Sequence, residues 1–155
     1  MDRVAIALGS NLGDRRSHLD FAAARLAQAF AKLRVSTYHD TAPVDVPGPQ
    51  PRFLNAAAVG DTSASPHEVL DLLMGIERER GRERAFQNAA RTLDLDVILF
   101  GDAILNEKAL TIPHPRFRER LFVLDPLAEI ASDLVDPVTG RTVAELRLAL
   151  AHRHR

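Results

Sequence analysis

The chain is predicted to fold as an α+β unit in the order strand–helix–strand–strand–helix–strand, with further helices towards its C-terminus. Three observations predict this. Apolar residues recur every three or four positions over residues 16–33 and 69–76, the period of a helix with one buried face. Residues 4–8, 34–39, 53–60 and 91–100 are short apolar, β-branched or alternating runs of strand length. Glycine, proline, asparagine and aspartate cluster between these segments, where turns are needed.

The chain has 155 residues, of which 46% are apolar, so one domain spanning 1–155 with a single core is expected. Its 20 basic and 21 acidic residues leave a net charge of −1, which offers no general attraction to nucleic acid or anionic lipid. Any phosphate binding must therefore come from local clusters. There is no cysteine, which excludes a disulfide framework or thiolate metal site and fits a reducing compartment. The first apolar run is too short for a signal or membrane segment, so a soluble cytoplasmic protein is expected, and a monomer.

Residues 4–8 predict a buried central strand. It leads into Gly9-Ser10-Asn11-Leu12-Gly13-Asp14, a tight turn in which Asp14 or Ser17 can cap the next helix. The turn lacks the glycine spacing and lysine of a P-loop. Leu19, Ala23, Leu26, Phe30 and Leu33 form the buried stripe of a helix over 16–33, and 34–39 reads as the second strand. Prolines 43, 47, 49 and 51, with Gly48, forbid regular structure over 41–52 and predict a semi-rigid loop. In the third strand, 53–60, Phe53 and Asn55 share a face. An aromatic ring beside a carboxamide can stack on a flat heterocycle and read its polar edge, but these two residues alone favour a core role for Phe53 and a strand-end role for Asn55.

Ser65, Pro66 and Glu68 are N-cap, first-turn proline and first-turn acid of a second helix with the stripe Val69, Leu72, Leu73 and Ile76. Gly81 can end that helix. Residues 77–91 then carry Arg78, Arg80, Arg82, Arg84 and Arg91 among glutamates, either a solvated charged loop or guanidinium forks that clamp polyphosphate.

In Arg91-Thr92-Leu93-Asp94-Leu95-Asp96-Val97-Ile98-Leu99-Phe100, alternation puts Leu93, Leu95, Val97 and Leu99 on one face and Asp94 and Asp96 on the other. The two aspartates should lie about 6.5–7 Å apart along the strand. A bare pair of this kind is ordinarily a wet face. Beside arginines it is also the donor set that phosphoryl transfer needs, since carboxylates hold Mg²⁺ and guanidinium groups neutralise phosphate. Short strand pieces follow at 103–105 and 110–112. His114 stands between Pro113 and Pro115, near Arg116, Arg118 and Arg120, where phosphate contact is plausible. A helix is expected from Arg120, ending near Asp125 and Pro126, with Phe122 as a second aromatic able to face Phe53. Residues 136–140 form a turn, Thr142 caps a last helix through Leu150, and residues 152–155 form a frayed basic tail.

Taken in order, Gly9-Ser10-Asn11-Leu12, Thr41-Ala42-Pro43, Gln50-Pro51-Arg52-Phe53-Leu54-Asn55, Glu77 with Gly81-Arg82, Arg91 to Asp96, and Ile112-Pro113-His114-Pro115-Arg116 resemble the 6-hydroxymethyl-7,8-dihydropterin pyrophosphokinases of folate biosynthesis. The resemblance implies a ferredoxin-like βαββαβ sandwich with added C-terminal helices. It implies transfer of pyrophosphate from ATP to the pterin hydroxymethyl group, releasing AMP. Its implied metal ligands are Asp94 and Asp96, holding two Mg²⁺ ions. Its implied catalytic residues are these two with Arg82 and Arg91. Thr41, Pro43, Val44, Phe53, Asn55 and Phe122 are implied to bind pterin. Glu77, Arg82, Arg84, Arg91, Val97, Thr111, His114 and Arg120 are implied to bind ATP. The loops 41–52 and 77–91 are expected to close over the substrates.

The chain departs from the family pattern at three places. Asn88-Ala89-Ala90 stands where many members have Trp-Gly-Pro, with Phe86 nearby; Ala109 and Pro115 stand where Arg and Tyr are frequent. An RNA-binding reading of such a fold is disfavoured, because aromatics are 5% of the chain and no basic aromatic strand motif is present.

Overall fold

A computed structural model describes residues 1–42, 51–81 and 92–153. Its main sheet has the strand order β2–β4–β1–β5, every pairing antiparallel. The strands are β1 (Asp2–Ser10), β2 (Ala31–Val35), β3 (His39–Thr41), β4 (Phe53–Thr62) and β5 (Asp94–Phe100). β3 continues beyond β2 along the same edge of β4. A two-stranded ribbon of β6 (Leu105–Asn106) and β7 (Thr111–Ile112) follows. Helices α1 (Arg15–Ala29) and α2 (Pro66–Glu79) join strands in the predicted order, and α3 (Leu121–Ala131) and α4 (Val143–Arg153) follow the sheet. This is the ferredoxin-like sandwich with added C-terminal helices.

Both faces of the sheet are covered. Val4, Ile6 and Leu8 of β1, Leu54, Ala56 and Ala58 of β4, and Leu95 and Val97 of β5 form one core with Leu19 and Leu26 of α1 and Val69, Leu73 and Ile76 of α2. Ala5, Ala57, Val59, Ile98 and Leu99 form a second core with Val123, Leu124 and Leu127 of α3 and Val143, Leu146 and Leu150 of α4. The alternation of each strand thus sorts residues between two helical layers, as the period of two demands.

The helix caps are the predicted ones. The Asp14 carboxylate accepts the Ser17 N–H at 3.2 Å. Ser65 and Glu68 form a reciprocal capping box, and Thr142 and Glu145 another. Gly81, at φ 74°, ends α2 with its N–H on the Arg78 carbonyl.

Four expectations are corrected. α1 stops at Ala29, not 33: Phe30 turns extended and residues 31–35 pair with β4 as β2. Phe30 is seated against Gly60, where a Cβ would lie 2.8 Å from the Phe30 Cβ. Leu33 therefore reaches the same core from a strand, which is why it continued the helical spacing. The expected strand 34–39 is two strands, β2 and β3, separated by residues 36–38. Leu99 lies on the opposite face from Leu95 and Val97, because an irregularity between Ala5 and Ile6 of β1 places two β5 residues against one step. Finally, α3 runs through Pro126, which sits buried at its sixth position and removes one backbone donor without ending the helix.

Candidate active site

The site starts from the strand register. β1 is central, and Gly9 pairs with Asn55 of β4 on one side and Asp94 of β5 on the other. Asp96 is opposite Ala7. Phe53, Asn55, Asp94 and Asp96 thus fall on the same face as Ala5, Ala7 and Gly9, the face that α3 covers further along. Antiparallel neighbours lie roughly 4.5–5.5 Å apart, so Asn55 and Asp94 flank a strip one strand wide with no side chain at its centre. A methyl on Gly9 would lie 3.2 Å from Asn55 Oδ1 and 3.9 Å from a Phe53 ring carbon. Gly9 was read from the sequence only as a turn residue. The signal that could have found it is the run of small residues Ala5, Ala7, Gly9 on one strand face.

Asn55 is buried, and its Nδ2 donates to the Thr41 hydroxyl at 2.5 Å. Thr41 is itself opposite Phe53 in the β3–β4 pairing. The amide oxygen of Asn55 is directed towards Gly9. Phe122, on the first turn of α3, packs half-buried against the second core. The guanidinium of Arg120, the N-cap residue of α3, lies 5.4 Å from the centre of the Phe122 ring.

Asp94 and Asp96 are both half-buried. Among the described residues no group of three or more His, Cys, Asp or Glu could hold a metal. Two carboxylates on one strand face suit a hard cation such as Mg²⁺, which keeps waters and takes substrate phosphate oxygens as its remaining ligands.

His114 connects these parts. Its backbone N–H binds the Ile98 carbonyl at 3.0 Å, tying it to β5, and its Nδ1 accepts the Arg116 N–H at 3.1 Å. Burial, then the charge of Arg120, push its imidazole down to about 4, against the pull of Asp94. At neutral pH the ring is therefore uncharged. With Nδ1 engaged as an acceptor, the hydrogen is on Nε2, which is a donor.

Other expected residues are placed differently. Glu77 is buried, and its Oε2 accepts the Leu95 N–H at 2.7 Å, so it holds the strand between the two aspartates. Val97 is in the core against α1 and α2, leaving only its backbone for a nucleotide. Thr111 lies on β7, its hydroxyl 3.4 Å from the Glu107 carbonyl. Arg118, expected beside His114 as a phosphate contact, is instead held at 2.5 and 2.9 Å by the fully buried Asp136 carboxylate. Asp136 also receives the Thr139 hydroxyl and the Val138 N–H, organising the turn before α4. Pro43, Val44, Arg82, Arg84 and Arg91, the Phe86 and Asn88-Ala89-Ala90 positions, and most of both long loops lie outside the described residues.

The family model described as 7,8-dihydro-6-hydroxymethylpterin-pyrophosphokinase (HPPK) matches residues 5–132. The chain is 44% identical over 143 residues to the 2-amino-4-hydroxy-6-hydroxymethyldihydropteridine pyrophosphokinase of Bacillus subtilis, across 90% of this chain and 85% of that one. It is 40% identical over 144 residues to the folic acid synthesis protein fol1 of Pneumocystis carinii, across 92% of this chain but only 19% of that longer protein. In fold it is similar to wild-type HPPK-DHPS of Plasmodium falciparum with SDX-DHP. The TM-score is 0.77 at 14% identity, over 98% of this chain and 45% of that one.

Proposed function

The chain belongs to the 7,8-dihydro-6-hydroxymethylpterin-pyrophosphokinase family, and we infer from that membership that it transfers pyrophosphate from ATP to the hydroxymethyl group of 6-hydroxymethyl-7,8-dihydropterin in folate biosynthesis. The hydroxymethyl group gives up its proton to solvent as its oxygen forms a bond to the β-phosphorus, the bridge between the α- and β-phosphates breaks at that phosphorus, and AMP leaves with the bridging oxygen. The observation that carries the site assignment is the register of Gly9, which puts Asn55 on one side and Asp94 on the other. A pterin held at Asn55 can present its hydroxymethyl arm across the bare strip towards the aspartates.

In this reading Phe53 and Phe122 hold the flat ring. Asn55 reads its polar edge through the amide oxygen and the N–H that Thr41 does not engage. Pro43 and Val44 complete the ring's pocket. His114 donates from Nε2 and Arg120 supplies charge to the ATP phosphates, with Thr111 and the Val97 backbone as nucleotide neighbours. Arg82, Arg84 and Arg91 neutralise charge on the transferring group. Glu77 acts by fixing the strand that carries both aspartates. Asp94 and Asp96 hold Mg²⁺, proposed as two ions, whose chemistry is to offset phosphate charge and orient the β-phosphate. We further propose that the chain works as a single-domain monomer in the cytoplasm, on small substrates and without nucleic acid. None of its described helices is long and apolar enough to cross a membrane.

The test is AMP release from ATP and Mg²⁺, with and without the pterin, for the native chain and Asp96→Ala. AMP formed only with pterin and lost in the variant is expected. Pterin-dependent AMP at the native rate in Asp96→Ala would remove the metal role, and none from the native chain would remove the transfer itself.

A further inference from the structure

The end of α2 is tied to α1 through the residue that follows it, Arg80. The guanidinium of Arg80 donates from Nε to His18 Nδ1 at 3.0 Å and from a terminal nitrogen to the Ser17 hydroxyl at 3.1 Å. It also lies 4.7 Å from the centre of the Phe21 ring. Ser17, His18 and Phe21 lie within five residues of α1, one turn apart, so they present one surface. The same residue is held through its backbone, because the Thr92 hydroxyl donates to the Arg80 carbonyl at 3.0 Å. Residues 80 and 92 are thus joined beside α1. His18 also reaches the turn after β1, since a Cβ on Gly13 would lie 3.3 Å from its Nε2.

We infer that Arg80 is a positioning residue for pyrophosphoryl transfer: bound to Ser17 and His18 and joined to Thr92, it fixes the two points from which Arg82 and Arg91 set out. Arg82 is two residues beyond one anchored position, and Arg91 directly precedes the other. Neither arginine need touch Arg80 for this to matter, because misplacing a group by about 1 Å can lower a rate by as much as 10²-fold. Burial and the charge of Arg80 push the His18 imidazole below its ordinary value, against Asp14, which suits an uncharged ring accepting from a guanidinium. The contrasting contact is the Arg25–Glu79 ion pair, which also joins α1 to α2 but lies one turn beyond Phe21 along α1.

The inference rests on Arg82 being a phosphate-handling arginine, and the experiment separates the two. Arg80→Met keeps an aliphatic stem against Phe21 and removes every donor. Steady-state rates are measured for native, Arg80→Met, Arg82→Ala, the double variant and Arg25→Ala, each with its thermal midpoint. The positioning role predicts that Arg80→Met lowers kcat on the order of tenfold with the KM for pterin within about twofold of native. It predicts that Arg82→Ala costs less in the Arg80→Met background than alone, as for residues acting in series. It predicts that Arg25→Ala moves the thermal midpoint without moving kcat. An unchanged kcat in Arg80→Met, losses that multiply in the double variant, or an equal kcat loss in Arg25→Ala would each overturn the positioning role while leaving that of Arg82 intact. A native kcat in Arg82→Ala would overturn both.

Discussion

On β1, the side chains facing α1 and α2 are Val4, Ile6 and Leu8, and those on the other face are Ala5, Ala7 and Gly9. On β5, Leu95 and Val97 face the first pair of helices, whereas Asp94 and Asp96 face away from it. The same backbone thus builds a filled layer on one side and, at its Gly9 end, a face cleared of large side chains on the other. Large residues fill the first because close packing there supplies stability. Small residues floor the second, and the polar Asn55, Asp94 and Asp96 stand beside Gly9 and Ala7 there, where the proposed function puts the substrates. Stability and chemistry are separable here to the extent that the two faces are.

Replacing each face in turn tests that separation. Asp94→Ala should lower pyrophosphoryl transfer by roughly 10²–10³-fold, the scale of losing a group that stabilises transferring charge, with little change in the thermal midpoint. A collapse of the midpoint would mean that the aspartate also holds the strand. Leu8→Ala, one residue away on the filled face, should cost about 2–5 kcal/mol of stability. The folded fraction should keep its kcat; a kcat loss as deep as that of Asp94→Ala would end the claim that the faces act independently. Gly9→Ala sharpens the comparison, because it adds one methyl to the cleared face only. Its Cβ crowds Asn55 Oδ1, so binding of the pterin should weaken about tenfold, matching a crowding cost of roughly 1–3 kcal/mol. Titration by pterin fluorescence would measure it, and unchanged affinity would remove Gly9 from the site.

The smallest effect concerns the α3–α4 layer. Burial pushes the Asp136 carboxyl up, but Arg118, Thr139 and the Val138 N–H outweigh it and hold it below its ordinary value of 3.8. A carboxyl with a depressed folded pKa stabilises the fold above its unfolded pKa. That contribution fades as pH falls through the lowered folded value. As pH falls below about 4, the native midpoint should therefore fall more steeply than that of Asp136→Asn. Parallel curves would mean that Asp136 contributes nothing to acid sensitivity. Transfer measured at neutral pH should be unaffected in the folded variant, since Arg118 is directed to the turn and not to the phosphates.

Much of the molecule was legible one residue at a time. Ser65, Pro66 and Glu68 announced the start of α2, and Gly81 its end, because caps are local chemistry. Asp94 and Asp96 were legible as a pair on one face because a strand has a period of two. Leu99 was not, since a bulge interrupts that period and depends on how β1 and β5 meet. Leu33 continued a helical spacing by coincidence, and pairing with β4 overrode it. Arg118 looked like a phosphate contact because it stands near His114 in the chain, but buried Asp136, 18 residues further on, claims it.

The sequence by itself determined the order of strands and helices, the apolar stripes, the caps and the motif set from which the family could be recognised. All of these are set by side-chain period or by chemistry within a few residues. The tertiary structure decided what lies across from what: Gly9 between Asn55 and Asp94, and Arg80 between α1 and Thr92. Those relations depend on register and packing between segments 12 to 63 residues apart for Arg80 and 46 for Gly9 and Asn55. No local spacing encodes them, because a partner far along the chain is chosen only when the sheet closes and its two cores fill.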